Sequence, residues 1–224
     1  KDVVVIADTN NTVASVNRKL RTLLFPGADE EAFLIGERIR MTEPYILEKQ
    51  VAVDNNAKGV IKKKTESYIS GVETWNLLIE FDFINRMGEL CKKLVSVPVI
   101  RPGFEREYDK ELEKRRLDAI AGREPWYKFY NWKELFGKMD YAYAMTTHKV
   151  QGSTYKNVYI LEYEIFRRNN PREAIEINQL MRTATSRASQ KMVIVTDKSN
   201  NMASTLIKFP ELEQVSEPQL NDDE

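Results

Sequence analysis

The sequence predicts an α/β fold in which a parallel sheet flanked by helices is interrupted by a small antiparallel β-barrel. The run Val3-Val4-Val5-Ile6-Ala7 is continuous and mostly β-branched, which is typical of a strand covered on both faces. Two similar runs come late in the chain, at residues 158–161 and 192–195. A long insertion therefore separates the first strand from the rest of its sheet.

A helix is predicted directly after the first strand. Thr9-Asn10-Asn11-Thr12 supplies side chains that cap helices. Apolar residues then recur at helical spacing until Pro26-Gly27, at positions Val13, Val16, Leu20 and Leu24. We expect one strand-loop-helix unit with its strand in the middle of the sheet, and a further helix from near Pro171 before the last strand.

The middle of the chain is typical of short antiparallel strands separated by turn formers such as Asp54-Asn55-Asn56. The strand-like runs lie at residues 38–41, 51–53, 59–61 and 75–83. Residues 108–122 then predict a charged helix with Leu112 and Ile120 on one face. For the aromatic residues that follow, we expect a clamp onto the core. A base-stacking platform is disfavoured because too many of them are adjacent to share one face: Trp126, Tyr127, Phe129, Tyr130, Trp132 and Phe136.

Composition limits the function without deciding it. The 34 Lys and Arg residues balance 34 Asp and Glu residues, so a nucleic-acid site must be a local patch. Cys91 is the single cysteine and cannot form an internal disulfide, and no apolar run approaches the roughly 20 residues of a membrane span. Residues 1–9 resemble a buried strand rather than a signal peptide. We expect a soluble, cytoplasmic protein with no membrane partner, cut from a longer chain.

Three segments resemble motifs of superfamily 1 helicases. Thr146-Thr147-His148-Lys149-Val150-Gln151-Gly152-Ser153-Thr154 groups hydroxyl, imidazole, ammonium and amide groups, and Gly152 lets the backbone approach a ligand closely. This segment resembles motif V in the Thr-His-Lys-x-Gln-Gly form of the RecD and Dda branch. Leu180-Met181-Arg182-Thr183-Ala184-Thr185-Ser186-Arg187-Ala188 resembles motif VI, whose usual shape is Ala-x-Thr-Arg-Ala, with Ser186 as an insertion. Ala7-Asp8-Thr9-Asn10, with Asn17 in the following helix, resembles motif IV.

The resemblance implies that the chain is the C-terminal motor half of an ATP-dependent DNA helicase. A second RecA-like domain would occupy residues 1–32 and 138–212, an inserted SH3-like barrel residues 33–100, a helical connection residues 101–137 and an acidic tail residues 213–224. The sequence contains no P-loop of the form Gly-x-x-x-x-Gly-Lys-Ser/Thr and no apolar strand ending in Asp-Glu. ATP with Mg²⁺ would therefore be bound mainly by an N-terminal RecA-like domain of the same polypeptide. This fragment alone would be inactive.

The resemblance also implies roles for single residues. Arg187 is the candidate catalytic residue, an arginine finger that stabilises charge on the transferred phosphoryl group; a surface salt bridge is the alternative. Nucleotide binding is implied for Gln151, Gly152 and Ser153, with an ordinary polar turn as the alternative. For Thr9 and Asn10, to which the resemblance assigns contacts with DNA, helix capping is an equally good interpretation. No metal ligand is predicted. Single-stranded DNA contacts are implied for Thr9, Asn10, Thr146, Thr147, His148 and Lys149.

Several finer expectations follow. The lysine cluster formed by Lys58, Lys62, Lys63 and Lys64 could follow a phosphate backbone, although charge runs are usually solvated faces.

The branch implies movement from 5′ to 3′, and the Dda-like segments at residues 36–39 and 97–100 point to phage replication or recombination, in the host cytoplasm. Two other functions stay open: a RecD-like subunit of a recombination nuclease, and a non-catalytic nucleic-acid-binding module.

Overall fold

The described residues form one parallel sheet, one five-stranded antiparallel sheet and a two-stranded antiparallel ribbon. A computed structural model describes residues 3–47, 50–84, 87–166 and 174–196. The predicted acidic tail and the predicted helix start near Pro171 lie outside the described residues. The elements follow in the order β1 (Val3–Ala7), α1 (Asn10–Leu24), β2 (Arg38–Met41), β3 (Tyr45–Leu47), β4 (Gln50–Val53), β5 (Lys58–Ile69), β6 (Val72–Ile84), β7 (Leu90–Ile100), α2 (Glu105–Ile120), α3 (Trp126–Lys133), β8 (Met139–Tyr141), β9 (Ala144–Thr146), α4 (Thr147–Val150), β10 (Tyr155–Leu161), α5 (Glu162–Ile165), α6 (Ala174–Thr185) and β11 (Ala188–Val195).

Four parallel strands form one sheet in the order β11-β10-β1-β9. The predicted mid-sheet position of β1 is confirmed, because Ile6 lies opposite Ile160 on one side and Met145 on the other. Ile6 is buried in a core that includes residues of α6, whereas Ala7 is buried in a core that includes Val13 of α1. Helices therefore cover both faces, which explains why β1 is apolar along its whole length.

Helix α1 packs on the sheet through Val13 and Val16 of the predicted apolar pattern and through two polar residues that the pattern does not predict. Its buried residues are Val13, Asn17 and Arg21, whereas Leu24 is 56% exposed. The side-chain amide of Asn17 donates to the carbonyl oxygen of Ala144 at 3.2 Å and accepts from its N–H at 2.8 Å. Burial of Asn17 is tolerated because both ends of its amide are hydrogen-bonded. The helix is thus fixed beside β9 by a polar residue.

The insertion is antiparallel, as predicted, and consists of a five-stranded sheet in the order β7-β6-β5-β2-β8 and a two-stranded β3-β4 ribbon. Side chains of the sheet, such as Ile61 and Leu77, share one core with Tyr45 and Val53 of the ribbon. The predicted fold class is confirmed in this form, a parallel sheet flanked by helices with antiparallel strands inserted. Strand β8 pairs with β2, so Met139–Tyr141 belong to the antiparallel sheet, whereas the sequence predicts that the parallel-sheet domain resumes at residue 138.

Helices α2 and α3 pack together through aromatic rings. Trp132 and Phe136 are buried, and Tyr108 stacks on Trp132 with ring centres 5.4 Å apart. The predicted clamp is confirmed for these two residues. The expected shared face of Leu112 and Ile120 is wrong: Leu112 packs on the clamp, but Ile120 is 59% exposed. Eight residues rotate a helix by about 80° beyond two full turns, which moves Ile120 off that face. None of the helices in the described ranges is long and apolar enough to cross a membrane.

Candidate nucleotide and nucleic-acid site

The segment that resembles motif V connects the carboxyl end of β9 to the amino end of β10. It therefore passes from one end of the parallel strands to the other. Thr146 ends β9 opposite Ala7, at the carboxyl end of β1. After the four residues of α4, the chain enters β10 at Tyr155, two residues before Asn157 pairs with Val3 at the start of β1. Of the predicted DNA-binding residues, Thr146, Thr147 and His148 lie at the start of α4, Lys149 lies within it, and Thr9 and Asn10 lie at the start of α1. The predicted nucleotide-binding residues Gln151, Gly152 and Ser153 follow the last residue of α4.

A tight turn follows α4. The N–H of Ser153 donates to the carbonyl oxygen of Val150 at 3.1 Å, and Gly152 has φ of +80°. Residues other than glycine rarely adopt this left-handed conformation. A Cβ atom at position 152 would meet nothing within 4 Å, so the glycine is required by the backbone conformation and the space beside it is open.

The guanidinium group of Arg187 is held by neutral oxygen atoms. Its Nε donates to the carbonyl oxygen of Thr183 at 3.1 Å, and its Nη1 donates to the carbonyl oxygen of Ser153 at 3.3 Å. In addition, the N–H of Tyr155 donates to the carbonyl oxygen of Arg187 at 2.8 Å. Arg187 forms no ion pair with any carboxylate in the described ranges, so the surface salt bridge that sequence leaves open is not found there.

Ser186 is not an insertion in the segment that resembles motif VI. Ala184-Thr185-Ser186-Arg187-Ala188 already has the usual shape Ala-x-Thr-Arg-Ala, with serine in place of threonine. Helix α6 ends at Thr185, and the Ser186 hydroxyl accepts a hydrogen bond from Nη2 of Arg187 at 2.8 Å. The expected insertion is therefore corrected to a replacement that keeps the hydroxyl group.

A cleft of about 350 Å³ separates α4 from α6. The hydroxyl oxygen of Thr147 is buried, the residue is 1% exposed, and no partner for this oxygen exists among the described residues. A buried hydroxyl without a partner is costly, and this one belongs to a residue that lines the cleft. The cleft also contains one carboxylate, Glu176. Its other polar lining residues are Thr147, His148, Gln151, Gln179, Arg182 and Thr183.

Arg182 is a residue of this cleft that sequence reasoning does not single out. It is exposed and shares the cleft with His148 and Gln151. A signal was available in the sequence, because Gln179, Arg182 and Thr183 are spaced three and four residues apart, on one face of a predicted helix.

Two of the predicted DNA-binding residues line a different cleft. Asn10 and Lys149 lie with Arg18 around a cleft of about 710 Å³ beside α1 and β8. The Nζ atom of Lys149 is 3.5 Å from a carboxylate oxygen of Asp140, which offsets part of its charge. The structure therefore brings Thr147 and His148 into one cleft and Asn10 and Lys149 into another.

Thr9 caps α1, and Thr146 is buried. Thr9 is the N-cap residue of α1, and its hydroxyl accepts from the N–H of Thr12 at 3.2 Å. This geometry supports the capping interpretation of Thr9, which is also exposed to solvent. Thr146 is only 7% exposed, so its side chain lies beneath the surface. DNA contacts by these two residues stay a prediction.

The lysine cluster of β5 is largely engaged in the fold. Lys62 and Lys64 are each paired with a glutamate, at 3.1 and 2.5 Å, and Nζ of Lys58 lies 3.8 Å from the ring centre of Tyr155. Lys63 is exposed. These contacts favour the interpretation of a structural and solvated face over a path for a phosphate backbone.

Two buried carboxylates lie just after β10, at the carboxyl edge of the parallel sheet. Glu162 is 7% exposed, and burial raises the pKa of its carboxyl group. Glu164 is 8% exposed and accepts a hydrogen bond from the hydroxyl of Thr12 at 2.9 Å. The described residues contain no group of three or more His, Cys, Asp or Glu side chains that could hold a metal ion.

A buried ion pair joins α1 to the antiparallel insertion. The Nε of Arg21 donates to Glu37 Oε1 at 2.5 Å, and the guanidinium lies 4.0 Å from the ring centre of Tyr141. Glu37 is fully buried and also accepts from the N–H of Leu34 at 2.8 Å. The pair therefore fixes the first strand of the insertion to the helix that carries Asn10 and Arg18.

Comparisons with known proteins give remote similarities. No family model matches the chain. An uncharacterised protein of Acanthamoeba polyphaga mimivirus is 28% identical over 118 residues, which cover 51% of this chain and 21% of that protein. A Pif1 helicase from Candida albicans is 13% identical, with a TM-score of 0.49, over 89% of this chain and 46% of that one. A Bacteroides Pif1 helicase in complex with ADP-AlF3 and ssDNA is 12% identical, with a TM-score of 0.40, over 87% of this chain and 40% of that one. The chain thus spans less than half the length of each of these proteins.

Proposed function

We propose that this chain is the second motor domain of an ATP-dependent DNA helicase and supplies the arginine finger and part of the grip on single-stranded DNA. The observation that carries the proposal is the environment of Arg187. The guanidinium of Arg187 donates to the carbonyl oxygen of Ser153, 34 residues earlier in the chain. No carboxylate among the described residues forms an ion pair with it. Such a group is suited to an anionic ligand such as a phosphate.

In this proposal, Arg187 acts across the interface with an N-terminal RecA-like domain. The carbonyl oxygens of Ser153 and Thr183 orient its side chain without cancelling its charge. The guanidinium would then stabilise the negative charge that develops on the phosphoryl oxygens as the group is transferred to water. ATP and Mg²⁺ would be held mainly by the N-terminal domain. In this chain, the turn at residues 151–153 would lie beside the nucleotide.

The short helix α4 would couple the nucleotide to the DNA. His148 is its second residue, and Gln151 follows its last residue. A displacement of α4 would move both groups together, because only four residues form the helix. We infer that ATP draws the two domains together, that hydrolysis separates them, and that Thr147 and His148 advance the strand by a small step.

The test is the single-strand-stimulated ATPase of the full-length protein, comparing wild type with Arg187→Ala and Arg187→Lys. We expect Arg187→Ala to lower the rate by about 10² or more with DNA binding retained, and lysine to restore little, because it lacks the planar fork. Arg116→Ala is the matched control, since Arg116 pairs with Glu113 on the surface of α2. An unchanged rate in Arg187→Ala would contradict the proposal. DNA binding without any ATPase in wild type would favour a non-catalytic module.

The assignment to the RecD and Dda branch, with movement from 5′ to 3′, is a separate part of the proposal. It is supported by the Thr-His-Lys-x-Gln-Gly form of residues 147–152. Duplexes that carry one single-stranded overhang test it. We expect the full-length protein to unwind the duplex with a 5′ overhang, and unwinding from a 3′ overhang alone would contradict the assignment. Stable copurification with nuclease partners would favour the RecD-like subunit instead.

A further inference from the structure

The aromatic residues of α3 divide into a buried and an exposed set. Phe129 and Trp132 are 6% and 5% exposed, whereas Trp126, Tyr127 and Tyr130 are 44%, 61% and 50% exposed. At about 100° per residue, the three exposed residues fall within an arc of about 100° on the helix. The expectation that too many aromatics are adjacent to share one face is therefore wrong for these three. They form an outward aromatic face.

The outward face is held in a fixed arrangement. The rings of Trp126 and Tyr130 have centres 6.0 Å apart and planes inclined by 31°. The buried Phe129 contacts both of them edge-on, at 5.6 and 5.2 Å. Because Trp132, on the buried side of α3, is stacked on Tyr108, the helix is anchored while its outer rings face solvent.

The charge of α3 is positive and is not offset. Lys128 and Lys133 are the charged residues of the helix, and both are exposed. Neither forms an ion pair with a carboxylate in the described ranges, whereas the neighbouring α2 pairs Arg115 with Glu111 and Arg116 with Glu113. Lys133 follows Tyr130 by three residues and therefore lies next to it on the helix surface.

We propose that the outward face of α3 is a second contact for single-stranded nucleic acid, at which bases stack on Trp126 and Tyr130 and a phosphate contacts Lys133. Aromatic rings with neighbouring cations bind single strands regardless of sequence, because every base has a π-face and every linkage a negative charge. The inference rests on the proposed function in one respect, since it takes the same polymer as ligand. The surface itself lies on the helical connection and includes no residue of the α4 and α6 cleft.

Tryptophan fluorescence gives a readout of stacking at this face. The chain has three tryptophans, and Trp75 and Trp132 are 9% and 5% exposed, so Trp126 is the tryptophan most accessible to a stacked base. We expect a 15-residue oligo-dT to quench the emission of the full chain. In Trp126→Phe the quench should be lost while affinity stays within about threefold, because phenylalanine still presents a π-face.

Affinity for the same oligo-dT tests the face as a whole. Loss of one stacked base costs about 5- to 150-fold in affinity, so we expect Trp126→Ala/Tyr130→Ala to bind at least about tenfold more weakly. Lys133→Gln should reduce the slope of log affinity against log salt by about 0.7, the value for one phosphate contact, whereas Lys128→Gln, on the other side of the helix, should leave the slope unchanged. Tyr68→Ala is the matched control, because Tyr68 is an exposed tyrosine on β5. The affinity of the Tyr68→Ala variant for oligo-dT should equal that of wild type. Circular dichroism would confirm that each variant is folded.

The outcomes separate this inference from the proposed motor function. Unchanged affinity in Trp126→Ala/Tyr130→Ala would overturn the stacking face, and a change in oligomeric state alone would identify a protein-binding surface instead. If His148→Ala weakens binding and ATPase while the α3 variant does not, the motor proposal stands and this inference fails. If oligo-dT quenches Trp126 and the α3 variants lose affinity, but the full-length protein has no ATPase, the inference stands and the motor proposal fails.

Discussion

Replacing Glu37 with leucine would measure how firmly the antiparallel insertion is fixed to α1. The Glu37 carboxylate accepts from Arg21 Nε at 2.5 Å, from Arg21 Nη2 at 3.3 Å and from the N–H of Leu34 at 2.8 Å. In Glu37→Leu, the Arg21 guanidinium would keep the Glu31 carbonyl oxygen at 2.8 Å and the ring of Tyr141 but would lose its counter-charge. The side chain of Arg21 is 10% exposed, so water cannot replace that charge. Breaking such a pair costs about 3–5 kcal/mol in the free energy of unfolding.

The assay is urea unfolding followed by circular dichroism, with a double-mutant cycle. Glu37→Leu and Arg21→Met should each lower the unfolding free energy by about 3–5 kcal/mol, and the double variant should lose clearly less than the sum, because it leaves no buried charge. Lys138→Met is the control, since Lys138 and Glu43 are both about half exposed, and its cost should stay below about 1 kcal/mol. Additive single effects, or a loss in Glu37→Leu as small as the control's, would refute this reasoning.

Three further predictions concern single residues near the site. Thr9→Ala should lower the unfolding free energy by about 1 kcal/mol through loss of the cap, and Thr9→Ser should keep the stability of wild type. If Thr9→Ser has full stability but binds oligo-dT more weakly, Thr9 has a separate role in DNA binding. Gly152→Ala should cost about 1–2 kcal/mol in chemical denaturation because φ is +80°, with Gly152→Asn costing less, and equal losses would contradict the conformational explanation. The folded-state pKa of Glu162 is raised by burial, so the fold favours the protonated form and the wild type loses stability as pH rises through that pKa. The melting temperature of Glu162→Gln should therefore exceed that of wild type by more near pH 7 than below the ordinary pKa of 4.5, and a difference independent of pH would contradict this cause.

Local signals in the sequence were sufficient to predict where β1 and α1 begin and end. The β-branched run, the capping hydroxyl of Thr9 and the break at Pro26 each act within a few residues, and the helix indeed runs from Asn10 to Leu24. The burial of polar residues on α1 could not be predicted in this way. Asn17 and Arg21 are buried because their partners, the backbone of Ala144 and the carboxylate of Glu37, come from distant parts of the chain.

The candidate site was predictable as separate segments but not as an arrangement. Nothing local indicates that Arg187 would fold onto the carbonyl oxygen of Ser153, since only the parallel pairing of β10 with β11 brings the two segments together. The packing of α4 against α6 places His148 and Arg182 along one cleft. The aromatic face of α3 was missed for a different reason, because counting adjacent aromatics ignores the rotation of the helix between them.

Binding of a transition-state analogue tests most directly whether Arg187 stabilises charge on a transferred phosphoryl group. Affinities of the full-length protein for ADP and for ADP with aluminium fluoride would be measured in wild type and in Arg187→Ala, with Mg²⁺ and oligo-dT present. An arginine that acts in the transition state predicts that Arg187→Ala loses about 10² or more in affinity for the analogue while its affinity for ADP changes by less than about threefold. Equal affinity of the two proteins for the analogue would contradict the account and leave Arg187 as a residue that only joins α6 to the turn at Ser153.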